Sequence, residues 1–171
     1  MSTDRLIYRR SGSRQVSELL SGIFVSELIS PSRNLWLNSP WISNLTVLDS
    51  RADQFVALNP TWSRSGVTLV LALVHLASNG CRVRVITRNV PTNSPFIEEL
   101  KRAGDNSKIN IEIHYNNSEH AKGLVTDRVA LWGSMNFTEN GISINRELVE
   151  YTTNPKKIAQ MSVELDADFA P

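Results

Sequence analysis

Two hydrophobic periods take turns along this chain, and few architectures accept both. Val16, Leu19, Leu20, Ile23, Phe24 and Leu28 recur at helical spacing and stop before Pro31, the pattern of an amphipathic helix with one apolar stripe. Leu35, Trp36 and Leu37 form a short apolar run ahead of Ser39-Pro40-Trp41, which reads as a buried strand followed by a turn. Val67 to Ser78 reads as a more apolar helix capped by Gly80, and Arg82 to Arg88 as a strand with Val83 and Val85 inward. Ser94-Pro95 opens a third helix with Phe96 and Leu100 inward and an end at Gly104. Ile109, Ile111, Ile113 and Tyr115 then alternate with Asn110, Glu112 and His114, the clearest period-two signal in the chain. Strands follow from about His120 to Thr126 and from Val129 to Gly133, turning around Asp127-Arg128, with another near Leu148 to Tyr151. Asn154-Pro155 starts a last helix whose Ile158, Met161, Leu165 and Phe169 share one side. Asp49 to Ser65 holds no clear period and reads as a loop. The alternation predicts an α/β sandwich, a mixed β-sheet flanked by helices.

At 171 residues one domain spanning 1–171 suffices. The single Cys81 excludes an intramolecular disulfide framework and any CxxC zinc or redox motif. The opening MSTDRLIYRR lacks the apolar core of a secretory leader, and the longest apolar run, Val67 to Ala77, is interrupted by Thr68 and His75 and too short to span a bilayer. A cytoplasmic protein without a membrane partner is the expectation. Net charge is only +1, so no global basic field points to a polyanion, although 13 of the 18 basic residues are arginine, whose planar fork suits phosphate.

Chemistry concentrates in two short segments. His120-Ala121-Lys122-Gly123 places an imidazole and an ammonium two residues apart, on one face if the segment is a strand. Gly133-Ser134-Met135-Asn136 offers a hydroxyl and an amide, which share a face if the backbone stays extended. Together these groups suit phosphoryl chemistry: imidazole attacks phosphorus while Lys122 and Asn136 neutralise and hydrogen-bond the non-bridging oxygens. No cofactor or metal is called for. Glu147 is the best carboxylate for orienting an imidazole, and glycines 123 and 133 leave room for a ligand or another backbone.

His120, Lys122, Asp127, Gly133, Ser134 and Asn136 reproduce H-x-K-x4-D followed by G-S-x-N with every position filled, and the chain thereby resembles the phospholipase D superfamily. Leu35 to Trp41, Arg82 to Arg88, Asn145-Arg146-Glu147 and the terminal helix fall where a domain of that family places its elements. The resemblance implies a metal-independent phosphodiesterase with a covalent phosphohistidine, and a second motif supplying the histidine that protonates the leaving oxygen. Only one H-x-K occurs here, so a homodimer is implied, with His120 of one subunit as nucleophile and the other as general acid, and Glu147 as the orienting acid. Small single-motif members resemble nucleases, which points to nucleic acid, DNA before RNA. Arg-Ser-Gly-Ser around Arg10 to Ser13, Ser30-Pro31-Ser32-Arg33 and the Leu35 to Ser43 segment look like the small DpdK-type proteins found beside bacterial DNA-modification systems. That implies a phage-defence setting with further protein partners.

Other readings compete at several positions. A non-catalytic DNA-binding or recruitment module of the same fold is the alternative function, and a lipid phosphodiesterase a third. His75 reads as a core or partly buried residue and His114 as a surface one. Asp127, at the turn, reads as structural. A metal site from His114, Glu119, His120 and Asp127 matches no zinc spacing, and Lys122 would repel the cation. Trp36 and Trp41 have the chemistry to stack on bases, but core or interface is their default. Arg82, Arg84 and Arg88 share a strand face that is either solvated or phosphate-binding.

Overall fold

A computed structural model of the chain describes residues 2–9, 14–49, 52–62 and 66–169. Thirteen elements alternate through them: β1 (Asp4–Arg9), α1 (Gln15–Ile29), β2 (Asn34–Asn38), β3 (Thr46–Asp49), β4 (Gly66–Thr68), α2 (Leu69–Ser78), β5 (Arg82–Thr87), α3 (Ser94–Ser107), β6 (Glu112–Tyr115), β7 (Gly123–Thr126), β8 (Ala130–Gly133), β9 (Glu147–Thr152) and α4 (Pro155–Asp166). Seven strands form one sheet in the order β1-β9-β8-β7-β2-β5-β6, while β3 and β4 make a separate hairpin. β2, β5 and β6 are parallel, and every other neighbouring pair in the large sheet is antiparallel. The sheet is mixed and helix-covered, as the alternating periods predict.

The two faces of the sheet are covered unequally. Leu35, Leu37, Val83, Val85, Leu124 and Leu131 point into the main core with the apolar stripes of α1, α2 and α3. Strand residues of opposite parity, Trp36, Val125 and Ala130, meet Ile158 of α4 in a second cluster bordered by Met161, Leu165 and Phe169. Period-two alternation thus sends successive β2 side chains to opposite layers. Over β1 and β9 the α4 face carries Leu6, Tyr8 and Leu148, which remain exposed, with Tyr8 directly opposite Leu148.

Several boundaries differ from the sequence expectation, each for a local reason. Residues 66–68 pair with β3 instead of opening α2, and the Thr68 hydroxyl caps that helix by accepting from Leu71 N. Asn93, not Ser94, is the residue before α3, and the helix runs past Gly104 to a left-handed Lys108 with φ 56°. Ile109 N closes that end on the Gly104 carbonyl, so Ile109 and Ile111 lie outside β6. β1 was hidden in the polar start, being an edge strand whose Ile7 is buried while Asp4, Arg5, Leu6 and Tyr8 are exposed. The expected loop contributes Trp62, buried against the His75 ring at 4.9 Å, and burial lowers the His75 pKa. Arg10 to Ser13 fall outside the described residues. Among those described, no helix is long and apolar enough to cross a membrane.

Candidate active site

Strand register gathers the candidate residues at one end of the sheet. Asn38, last in β2, lies opposite both Ile86 of β5 and Gly123, first in β7, and Gly123 in turn faces Trp132. Gly133 ends β8 opposite Val149, two residues into β9. The carboxyl ends of two parallel strands, the entry to β7, the exit from β8 and the start of β9 therefore meet, the place where open α/β sheets usually bind ligands.

His120 and Lys122 precede β7 and do not belong to it, which corrects the expected strand from His120. Glu119 shapes this segment: its Oε1 accepts from His120 N at 2.8 Å and Ala121 N at 2.6 Å. The Glu119 carbonyl accepts from Arg88 Nε at 2.7 Å. His120 is exposed, and among the described residues no hydrogen bond holds its imidazole. Lys122 is 9% exposed, and its Nζ donates to the His120 carbonyl at 2.5 Å, leaving two further ammonium donors for a ligand. The pair is adjacent, linked through main chain instead of standing side by side on a strand. Burial, then the Arg88 charge, hold the Lys122 pKa below the ordinary lysine value, while Glu119 and Glu147 pull it back up.

β8 stops at Gly133, so Ser134 to Asn136 is not a continuous strand. The alternation nevertheless survives, because Met135 and Phe137 are buried and Phe137 forms an isolated bridge with Ile42. Ser134 Oγ donates to Glu147 Oε2 and accepts from Leu148 N at 3.0 Å. The carboxylate of Glu147, 6% exposed, is thus engaged by Ser134 and not by His120, contrary to the expected imidazole contact. Its charge is one of two that raise the Lys122 pKa, Glu119 being the other. Asn136 has its Oδ1 buried without a hydrogen-bond partner among the described residues, as does Asn38. The room left by the two glycines is taken by backbone: a Cβ on Gly133 would meet the Leu148 carbonyl at 2.1 Å, and one on Gly123 the Leu131 carbonyl at 3.1 Å.

Asp127 lies away from this cluster. Its carboxylate accepts from Arg33 N at 2.6 Å and Asn34 Nδ2 at 3.2 Å, tying the β7–β8 turn to the start of β2. The three arginines separate, Arg82 and Arg84 lying in β5 and Arg88 just beyond its end: Arg82 pairs with Glu112 at 2.5 Å, and Arg88 lies 4.9 Å from the Trp41 ring centroid. Arg84, 2% exposed, is enclosed by Trp36, Phe169 and Asp166, which overturns the reading of one solvated or phosphate-binding face. His114 is half-buried and contacts the Phe169 ring at 5.8 Å, so it is not a simple surface residue. Among the described residues no three His, Cys, Asp or Glu gather as metal ligands.

Two residues that the sequence reading left without a role organise the site. Asn93 donates to the Pro40 carbonyl at 2.9 Å, Thr87 Oγ1 at 2.9 Å and the Arg88 carbonyl at 3.0 Å, and accepts from Ile42 N at 3.0 Å. It fastens the ends of β2 and β5 to the start of α3. Ser39 receives Phe137 N on its hydroxyl at 3.1 Å and so anchors the Asn136 segment. Ser39-Pro40 was a visible turn signal, whereas a lone asparagine in a polar loop carries none.

Comparison with known proteins gives this arrangement its family. No curated protein matches the sequence. Residues 46–169 match a family model described as cardiolipin synthase, PLD-like domain. NucT from Helicobacter pylori shares the fold with a TM-score of 0.62 and 13% identity, over 99% of this chain and 96% of its own. Nuc, a phospholipase D family member from Salmonella typhimurium, gives 0.64 and 15% over 99% and 95%. TrmBL2, an archaeal chromatin protein whose structure shows a mode of DNA binding, gives 0.56 and 11% over 96% of this chain and 52% of its own. With the matched segment covering most of its length and a sheet of the same architecture, the chain belongs to the phospholipase D superfamily.

Proposed function

We propose that this protein is a metal-independent phosphodiesterase that cleaves nucleic acid, DNA in the first instance, through a phosphohistidine at a site shared by two identical subunits. The observation that carries the reading is the exposed imidazole of His120, without a hydrogen bond among the described residues, two residues from the largely buried ammonium of Lys122, which bonds the His120 carbonyl, with Asn136 at the same end of the sheet. A His120 ring nitrogen attacks phosphorus, and Lys122 and Asn136 take up charge on the non-bridging oxygens. As the P–O bond breaks, the leaving oxygen receives a proton from the second subunit's imidazole. That imidazole, now a base, takes a proton from water, which attacks phosphorus and breaks the P–N bond to regenerate His120. Ser134 holds the Glu147 carboxylate, whose charge opposes the lowering of the Lys122 pKa by burial and Arg88.

Two neighbours of similar fold are themselves covered almost end to end by this chain, which supports one motif per chain and a second copy to complete the site. A cytoplasmic place in a DNA-modification or phage-defence system belongs to the same reading. Purified protein is expected to cut DNA in excess EDTA and to lose this with His120→Ala. Cleavage that requires a divalent ion, or turnover of phosphatidyl lipids alone, would sink the proposal. The likeness to a DNA-binding chromatin protein favours one second reading, a binding module without catalysis, for which His120→Ala protein would bind and function as wild type.

A further inference from the structure

Trp41 is a tryptophan that neither core explains. It is 40% exposed, yet the backbone around it is rigidly held. Its carbonyl accepts from Ser39 Oγ at 2.7 Å, the preceding Pro40 carbonyl accepts from Asn93 Nδ2, and the following Ile42 N donates to Asn93 Oδ1. Arg88 lies over the ring at 4.9 Å and reaches back through the Glu119 carbonyl to the His120 segment. A fixed indole is thereby linked to the phosphate-binding end of the site by one guanidinium.

Beside the ring runs an open groove of about 350 Å³ lined by Trp41, Thr92, Asn136, Thr138, Asn140 and Asn145, among others. None of its described lining residues carries a charge. Such walls give little attraction to a phosphate backbone, whereas amides and hydroxyls suit the donor and acceptor edges of a nucleobase. Asn136 adds an independent observation, a side-chain oxygen buried without a partner among the described residues, which a base N–H would satisfy. A flat ring held in place stacks a base at little cost in ordering, and stacking tolerates any base because each has a π-face.

We infer that Trp41 is a base-stacking platform and that the adjoining groove receives the unpaired base next to the scissile phosphate, making single-stranded nucleic acid the substrate. This rests on the phosphodiesterase reading of His120 and Lys122. A base inside a duplex is stacked on its neighbours and paired, so neither its face nor its Watson–Crick edge is available to the groove. Arg88 holds one side of the indole, and the exposed side takes the base.

The test compares wild type, Trp41→Ala and Trp41→Phe on a single-stranded oligodeoxynucleotide, its duplex, and the same strand with abasic residues flanking the cut. Trp41→Ala is expected to lower kcat/KM on the intact single strand by about 5- to 150-fold, mainly through KM. Trp41→Phe should keep most of the rate, and the abasic strand should be cut alike by all three. Equal loss on intact and abasic strands, a duplex cut as well as the single strand, or a Trp41→Ala protein with altered subunit association would overturn the inference. Binding gives a readout free of catalysis: oligothymidylate should quench tryptophan fluorescence of the His120→Ala protein, and much less so once Trp41→Phe is added. Absence of that quench defeats the platform. Failure of wild type to hydrolyse bis(p-nitrophenyl) phosphate with the quench intact defeats the phosphodiesterase reading and leaves the platform standing.

Discussion

The ammonium of Lys122 has to be charged to hold a phosphate, and burial together with three charged neighbours sets the pH at which it is. Burial and the like charge of Arg88 lower its pKa, and Glu119 and Glu147 oppose them. Because the lowered value means the proton leaves at lower pH, the alkaline limb of kcat/KM should fall below the ordinary lysine value of 10.5. Arg88→Gln removes a like charge and should move that limb up. Glu119→Gln removes an opposite charge and should move it down, while its amide oxygen still accepts from the His120 and Ala121 N–H groups. Rate profiles between neutral and strongly alkaline pH measure both, and limbs that move together, or stay fixed, would dissociate them from Lys122. Sequence reading found His120, Lys122, Ser134, Asn136 and Glu147 because each has chemistry of its own. Glu119 and Asn93 escaped it because their work is to hold backbone, which depends on segments distant in sequence being brought together.

Hairpin β7–β8 shows what an element contributes to such a site. Asp127 sits at its turn, at the far end from His120, and its two hydrogen bonds to Arg33 and Asn34 fix the hairpin against β2. Asp127→Ala should cost roughly 1–3 kcal/mol, since hydrogen bonds to a charged group are lost, lowering Tm by several degrees with kcat of the folded protein unchanged. Thermal melts alongside initial rates distinguish this from a catalytic role, in which kcat would collapse at constant Tm. Helices α1 and α4 were readable from their apolar stripes, since each buries one face. β5 was readable as a strand, but not the separate fates of Arg82, Arg84 and Arg88, because α4 and the turn after it arrive from the other end of the chain to cover Arg84. His120 to Lys122 misled in a different way, since two-residue spacing resembles a strand even where the Glu119 carboxylate, and not a neighbouring strand, takes the His120 and Ala121 N–H groups.

Across the whole molecule, one motif in a symmetric pair makes a prediction about stoichiometry. If each catalytic unit needs both copies of His120, a mixed pair of wild-type and His120→Ala subunits lacks either nucleophile or general acid. After co-refolding at equal amounts, activity should fall to roughly a quarter of the wild-type value, the fraction of pairs with two intact subunits. Independent sites would retain roughly half, and that linear dependence would sink the shared site. The exposed Leu6, Tyr8 and Leu148 on the α4 face of β1 and β9 offer apolar area to a second subunit, an unusual surface for a chain that stays alone. β9 also begins at Glu147, beside the site, so a subunit seated there would lie close to the residues it has to complete. Tyr8→Glu with Leu148→Glu should therefore convert dimers to monomers in sedimentation equilibrium and abolish cleavage, while circular dichroism stays that of the folded protein. Monomers that still cleave would place the whole reaction within one chain, with a general acid other than a second His120.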